Sequence, residues 1–349
     1  MAHYIKHLRL GDLPSLRGSW IRDERPTTCL HTLAGILTRL PALQRLDLCD
    51  FHIKVETHSA SPPLLTLRLD KLTMHDVGAP TAPMLGIADF LGYFSEIRHL
   101  QIGRLYSTIS WFKLDDFVQA LTEYEASRAS VPLKVHTLEY SSTVCYSTEH
   151  ALRMLGSILS AASTTHLAVN FHNWETWRGF GHFLLAHPGV RHLDLDLSDF
   201  LSRNPNADVL NLNNCGKLAS INLDIKILGH GNEAQRNNQA AIQAVLGILS
   251  TTSTESLTFI TIDIRLSSCM VDDFTSAMDW PRLIQVLDRH QNLERAALVF
   301  EGDMFTLQET VFKCVQVVNS HPQHQQLQRV KLAAYIGEAA AIPTTYLGV

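Results

Sequence analysis

No stretch of this chain approaches the roughly 18 uninterrupted apolar residues that a membrane-crossing helix needs. Yet 46% of its residues are hydrophobic, so the apolar content is dispersed for building a core, and no membrane partner is expected. Charge is sparse at 18%, with 29 basic against 34 acidic residues and a net charge of −5. No Lys/Arg-rich run exists, which gives a nucleic-acid partner no electrostatic footing. Cysteine is also scarce. Cys29, Cys49, Cys145, Cys215, Cys269 and Cys314 are scattered, and no two form a C-x-x-C pair. They read as small hydrophobes in a reducing compartment rather than as a zinc or disulfide framework. The first ten residues contain no apolar core of a signal peptide, and no Asn-x-Ser/Thr acceptor occurs. Cytoplasmic or nuclear localisation is the expectation.

Catalytic signatures are missing as well. The chain has no G-x-S-x-G, H-E-x-x-H, G-x-x-x-x-G-K-[ST] or G-x-G-x-x-G. Gly229-His-Gly231 is followed by no Lys-Ser/Thr, so it is a polar loop rather than a phosphate cradle. Cys145 and Cys269 have no base assigned to them by sequence. His321 and His324 lie in a connecting turn without partner ligands. The expectation is a non-enzyme with no cofactor and no metal; an enzyme with an unrecognised site is the remote alternative.

What is present is a recurring phrase: apolar, two variable residues, Leu, one variable residue, Leu. Its clearest copy is Val190-Arg-His-Leu193-Asp-Leu195. Copies start at Ile5, Leu43, Leu64, Ile97, Val135, Thr164, Val190, Leu218, Leu257, Leu293 and Leu327. The first and last starts, 5 and 327, enclose ten steps, a mean of about 32 residues. Leu-x-Leu at period two is a strand with one buried face. A single such strand cannot bury that face alone, so the pattern predicts parallel stacking with return segments packed behind. The returns carry helical spacing at Leu30–Leu40, Ala151–Leu159, Ala241–Leu249 and Phe312–Val318. Asp115-Asp116 and Asp272-Asp273 fall where helix N-termini should begin. The short step after Leu43, with Pro62-Pro63, implies an extended return. Tyr106–Trp111, Ser202–Asn213 and Gly229–Asn238 are polar and turn-rich and are expected to be surface insertions.

These phrases and helical returns resemble the ribonuclease-inhibitor-like class of leucine-rich repeats. Phrases such as Leu40-Pro-Ala-Leu43-Gln-Arg-Leu46-Asp-Leu48 look especially like fungal F-box/leucine-rich-repeat proteins. The resemblance implies an α/β horseshoe-shaped solenoid with parallel concave strands, mostly helical returns and about eleven irregular repeats. It spans residues 4 to about 335 of a single 1–349 domain, with 336–349 as a C-terminal cap or tail. It also implies substrate recognition for a ubiquitin ligase, or a scaffold unrelated to ubiquitylation. The chain departs from the pattern in two ways. The place usually taken by Asn or Cys, three residues after the last Leu, holds Phe51, Leu72, Leu105 and Ser198, so no asparagine ladder is expected. The first phrase starts at residue 5, so an F-box, and with it a ligase adaptor as partner, is expected only if that module lies upstream. Without a cap, the first strand is expected to need either upstream chain or a covering partner.

Between the inward leucines, side chains should line the concave face in columns. The N-terminal strands contribute Arg9, Arg45 and Arg68, and the last ones Arg295, Arg329 and Lys331. The middle is acidic, with Glu139, Asp194, Asp196, Asp224 and Asp263. His166, His192, Asp194, Asp196, Asn222, Asp224 and Asp263 are the expected protein-binding residues, and a basic or polar protein segment is the expected ligand. His166 and His192 share one column, and a metal or pH-sensing role for them competes with coincidence among 18 histidines. Trp174 and Trp177, near Phe171 and Phe183, read as a packed helix face.

Overall fold

The segment Ser220–Leu228 shows how the sequence pattern becomes a strand. Ile221, Leu223, Ile225 and Ile227 are buried, while Ser220, Asn222, Asp224 and Lys226 between them keep contact with solvent. The same alternation recurs along the chain. A computed structural model describes residues 4–11, 27–54, 67–79, 85–107, 119, 121–123, 132–141, 148–203, 210–229, 231–267, 274, 276–301, 312–313, 316 and 331–336. The fold is α/β, an open sheet of parallel strands with helices in the returns. The chain divides into two compact units, Met1–Ala168 with His172–Pro188, and Val169–Phe171 with Gly189–Val349.

In the first unit the strands are β1 (His7–Gly11), β2 (Thr27–Cys29), β3 (Arg45–Lys54), β4 (Leu67–Ala79), β5 (Phe94–Ser107) and β6 (Lys134–Ser141). β1, β3, β4, β5 and β6 pair in chain order and in parallel, and β2 adds to β3. The register stacks like on like. Leu8, Leu46, Leu72, Leu100 and Leu138 form one apolar column, and Leu10, Leu48, Met74, Ile102 and Tyr140 the next. From β3 to β6 these side chains are almost wholly buried. Each such side chain is worth about 1.5–3 kcal/mol of burial.

The helical returns of this unit are α1 (Leu30–Thr38), α2 (Leu85–Leu91), α3 (Thr148–Ile158) and α4 (Trp174–Ala186). α1 buries Leu30, Leu33, Ala34 and Leu37, and Thr38 ends it before Pro41. α3 and α4 lie so close that a Cβ on Gly179 would come within 2.9 Å of Glu149 Cα, so no larger residue fits there without a shift. Asn173 caps α4, its Oδ1 accepting from the Thr176 amide at 2.8 Å.

β7 (His166–Asn170) has residues in both units. The second unit then adds β8 (His192–Asp196), β9 (Ser220–Leu228), β10 (Phe259–Ser267), β11 (Arg295–Glu301) and β12 (Lys331–Ile336), again parallel and in chain order. Leu193, Ile221, Ile260, Ala296 and Leu332 align, as do Leu195, Leu223, Ile262, Leu298 and Ala334. The returns are α5 (Ser198–Arg203), α6 (Asn232–Ser250) and α7 (Trp280–Asp288). α7 starts at Asp279, whose side chain accepts from the Arg282 amide at 3.1 Å, with Pro281 in the first turn.

Three expectations change. The phrase in β4 is not Leu64-x-x-Leu67-x-Leu69 but Leu69-x-x-Leu72-x-Met74, because Leu46 faces Leu72 and Leu48 faces Met74. Arg68 therefore leaves the inter-leucine column, Thr73 takes its place, and the position after the phrase is buried Val77 rather than Leu72. The last phrase also shifts. Ala296 faces Leu332 and Arg295 faces Lys331, so Lys331 moves one column and Ala333 falls between the inward positions. Finally, Gly229–Asn238 is not a turn-rich loop throughout, since α6 begins at Asn232, with Asn232, Glu233, Gln235 and Arg236 exposed on its first turns. Its Asn238 is buried, with Nδ2 donating to the Leu228 carbonyl at 2.8 Å and Oδ1 accepting from the Leu228 amide at 2.9 Å. That amide side chain closes the end of β9, a packing role that outweighs the loop-like composition.

The expected helix starts at Asp115-Asp116 and Asp272-Asp273, the Pro62-Pro63 return, the Ser202–Asn213 insertion over 204–209, most of Phe312–Val318 and the tail lie outside the described residues. So do Cys145, Cys269, Cys314, His321, His324 and Arg329. Cys29, Cys49 and Cys215 are free thiols. Among the described residues no helix is long and apolar enough to cross a membrane.

Candidate functional site

The strand positions between inward leucines point away from the core and set the chemistry of the open face. In the first unit acids and bases are interspersed in neighbouring columns. His7, Arg45, Lys71 and His99 precede the inward leucines, while Arg9, Asp47, Thr73, Gln101 and Glu139 fall between them. Opposite charges are therefore neighbours. His7 Nε2 donates to Asp47 Oδ2 at 2.8 Å, and the Arg45 guanidinium approaches the same oxygen at 3.0 Å. His99 Nε2 lies 2.9 Å from Glu139 Oε1. Glu96 meets His136 at 3.3 Å and Arg68 at 3.8 Å, and Asp70 meets Arg98 at 3.0 Å. Burial by itself would raise the Asp47 carboxyl, but hydrogen bonds from Arg45, His7 and Thr73 hold it below the usual carboxylate range.

The second unit stacks acid on acid. Asp196, Asp224 and Asp263 face one another on β8, β9 and β10, at the ~4.8 Å spacing of neighbouring strands. Asp194 and Asn222 occupy the adjoining column, and Asp194 is exposed. The next column holds Lys226, Arg265 and Glu301. Arg265 donates to Asp224, and its guanidinium lies 3.6 Å from Asp196 Oδ2 and 3.7 Å from Glu301 Oε2. Asn222 Nδ2 donates to Asp263 Oδ2 at 2.9 Å. The Ser198 amide and hydroxyl donate to Asp196 Oδ1 at 3.1 and 2.5 Å.

One guanidinium does not offset this crowding. Burial, then the charge of Asp196, pushes the Asp224 carboxyl up to about 7, with Arg265 acting the other way. Burial also raises Asp263, against the hydrogen bond from Asn222 and the charge of Arg265. Two neighbouring carboxyls of the ladder, Asp224 and Asp263, are thus both raised.

The expected site residues divide between the units. Asp194, Asp196, Asn222, Asp224 and Asp263 come together on one face of the second unit, with His192 at its edge, where Nδ1 lies 2.8 Å from Ser220 Oγ. His166 lies in the first unit, its Nδ1 3.0 Å from Thr165 Oγ1. Among the described residues no group of three or more His, Cys, Asp or Glu is placed to hold a metal ion. Trp177, Phe171 and Phe183 are each buried, and the Trp174 side chain lies outside the described residues.

The residue the sequence reading passed over is Arg265. It sits two residues beyond Asp263 on the same strand face, so extending each column by one alternate position would have found it together with Lys226 and Glu301. Phe259 is placed by the repeat phrase, which assigns it no role. It appears in the column of His192 and Ser220, and 45% of its surface is exposed. Compared with known proteins, the chain matches no family model, no curated protein and no solved structure.

Proposed function

We propose that this chain is a leucine-rich-repeat array working as a non-catalytic protein-interaction module, with its ligand bound along the open strand face. The observation that carries this reading is the division of labour within each strand. Buried Leu193, Leu195, Ile221 and Leu223 fix the backbone, and the residues between them, Asp194, Asp196, Asn222 and Asp224, form a preorganised polar surface. Polar groups on rigid strands recognise a partner with little ordering cost, and extended repeat surfaces are commonly used in this way. The mechanism is equilibrium binding, with selection by side-chain complementarity along the columns.

The finer reading is substrate recognition of the kind that F-box/leucine-rich-repeat proteins perform; its support is the sequence resemblance. Co-purification of a longer gene product with a ligase adaptor tests it, and a scaffold role is what remains if no adaptor binds. The interaction reading itself is tested by reversing charge at Asp194 and Asp196 to Lys. The double variant should lose the principal partner in pull-down while retaining the wild-type circular dichroism spectrum. Undiminished capture of that partner would overturn it.

A further inference from the structure

The carboxyl ladder of the second unit outnumbers the cations beside it. Asp196, Asp224 and Asp263 stack in one column, and the column next to them holds Lys226, Arg265 and a further carboxyl, Glu301; the other cations of this face, Arg295 and Lys331, lie two columns away in the column of Phe259. Asp194 adds a fifth carboxyl on the exposed side. Hydrogen bonding is incomplete as well. Asp224 Oδ1 and Asn222 Oδ1 are both shut off from solvent and have no hydrogen-bond partner among the described residues. A buried acceptor without a donor costs about 1–3 kcal/mol, which favours a proton on the Asp224 carboxyl in the free chain. An apolar feature stands beside them. Phe259 projects from β10 on the same side as Asp263 and Arg265, flanked in register by Ser220 and Arg295.

We infer that this face binds an extended cationic peptide segment, with a lysine or arginine side chain over the Asp196–Asp224–Asp263 ladder and an apolar side chain against Phe259. The inference rests on reading the face as protein-binding and names the chemistry of the partner. Charge complementarity selects the occupant. An acidic segment would add to an existing excess of like charge, and a neutral one would leave that excess in place.

The same geometry couples binding to protons. The carboxyl of Asp224 faces Asp194 and Asp196 on β8, Asn222 and Lys226 on β9, Asp263 and Arg265 on β10 and Glu301 on β11, with Ser198 behind Asp196 and His192 at the strand edge. Because burial and Asp196 raise it to about 7, Asp224 is part-protonated at neutral pH. A cation placed over the ladder favours the carboxylate, so the Asp224 O–H bond breaks, the carboxylate stays with the bound cation and the proton passes to buffer. Binding therefore tightens as pH rises through 7, by roughly tenfold between pH 6 and pH 8 for one proton released.

The test is calorimetric titration of the full chain with a blocked Lys-Leu-Lys-Leu-Lys peptide, with Glu-Leu-Glu-Leu-Glu as control. Runs at pH 6 and 8, in buffers of different ionisation heat, count the protons released. The lysine peptide is expected to bind, to tighten roughly tenfold over that range, and to release up to one proton. Asp224→Asn, close in shape to the native side chain, should flatten the pH dependence. Phe259→Ala, at an exposed position, should weaken binding several-fold, and Glu255→Gln in a turn should change neither. Absence of binding by the lysine peptide, or an unchanged pH dependence in Asp224→Asn, would overturn the inference. Preference for the glutamate peptide would also overturn it while leaving a protein-binding face intact; loss of the charge-reversal effect at Asp194 and Asp196 would remove that broader reading instead.

Discussion

The two units use the same strand phrase and treat their surface carboxyls in opposite ways. In the first, His7, Arg45 and His99 stand one column from Asp47 and Glu139, so Asp47 is held by Arg45 on its own strand and His7 on the next, and Glu139 by His99. In the second, the acids repeat at the same position of three successive strands and share Arg265. Parallel in-register stacking turns a repeated residue into a column. Whether that column is neutralised depends on the column beside it, and the physical consequence is a carboxyl held below its ordinary range at Asp47 and one raised to about 7 at Asp224. The first arrangement adds stability; the second leaves an electrostatic demand that a partner can meet.

If the contrast lies on the face alone, the cores should be equivalent. Leu48→Ala in the first unit and Leu223→Ala in the second both delete side chains with no exposed surface. Each should cost about 2–5 kcal/mol in denaturant unfolding. A large cost in one and a negligible cost in the other would show that the units differ in their packing as well.

The face substitutions should then differ in sign. Asp47→Asn removes a charged acceptor from His7, Arg45 and Thr73 and should destabilise by about 1.5–3 kcal/mol at pH 7. Asp224 behaves in the opposite sense. Its folded-state pKa is raised, so its contribution is fully present below the ordinary carboxylate range and is lost as pH rises through about 7. Asp224→Asn should abolish that loss and be more stable than wild type at pH 8. In the first unit His187 is driven down to about 4 by burial, against its hydrogen bond to the Gly156 carbonyl. Its folded pKa is depressed, so its contribution is present above the ordinary histidine range and is lost as pH falls from about 6.5 to about 4. Hydrogen exchange should accordingly show the first unit opening first towards acid and the Asp224 strands loosening first towards alkali. Identical pH profiles in the two units would show that their carboxyls are not treated differently.

Much of this was legible in the sequence, and the failures have physical causes. Leu193 and Leu195 could be placed because burial at period two leaves a pattern that needs no partner to be recognised. Asp196, Asp224 and Asp263 followed, since a fixed phrase also fixes the residues after it. The frame of β4 was ambiguous because Leu64, Leu67 and Leu69 overlap with Leu69, Leu72 and Met74, and pairing with Leu46 and Leu48 decides between them. Asn238 was hidden by polar surroundings, its role being set by the end of β9 rather than by its neighbours in sequence. Arg265 lay just past the phrase, and how far its side chain reaches depends on three strands that one repeat does not specify.

The most direct measurement is the titration of the Asp224 side-chain carboxyl by carbon-13 NMR in selectively labelled protein, alone and with the lysine peptide. A midpoint near 7 is expected in the free chain, with a fall towards the ordinary aspartate range when the peptide binds. A midpoint near that of a free aspartate without peptide would contradict that expectation.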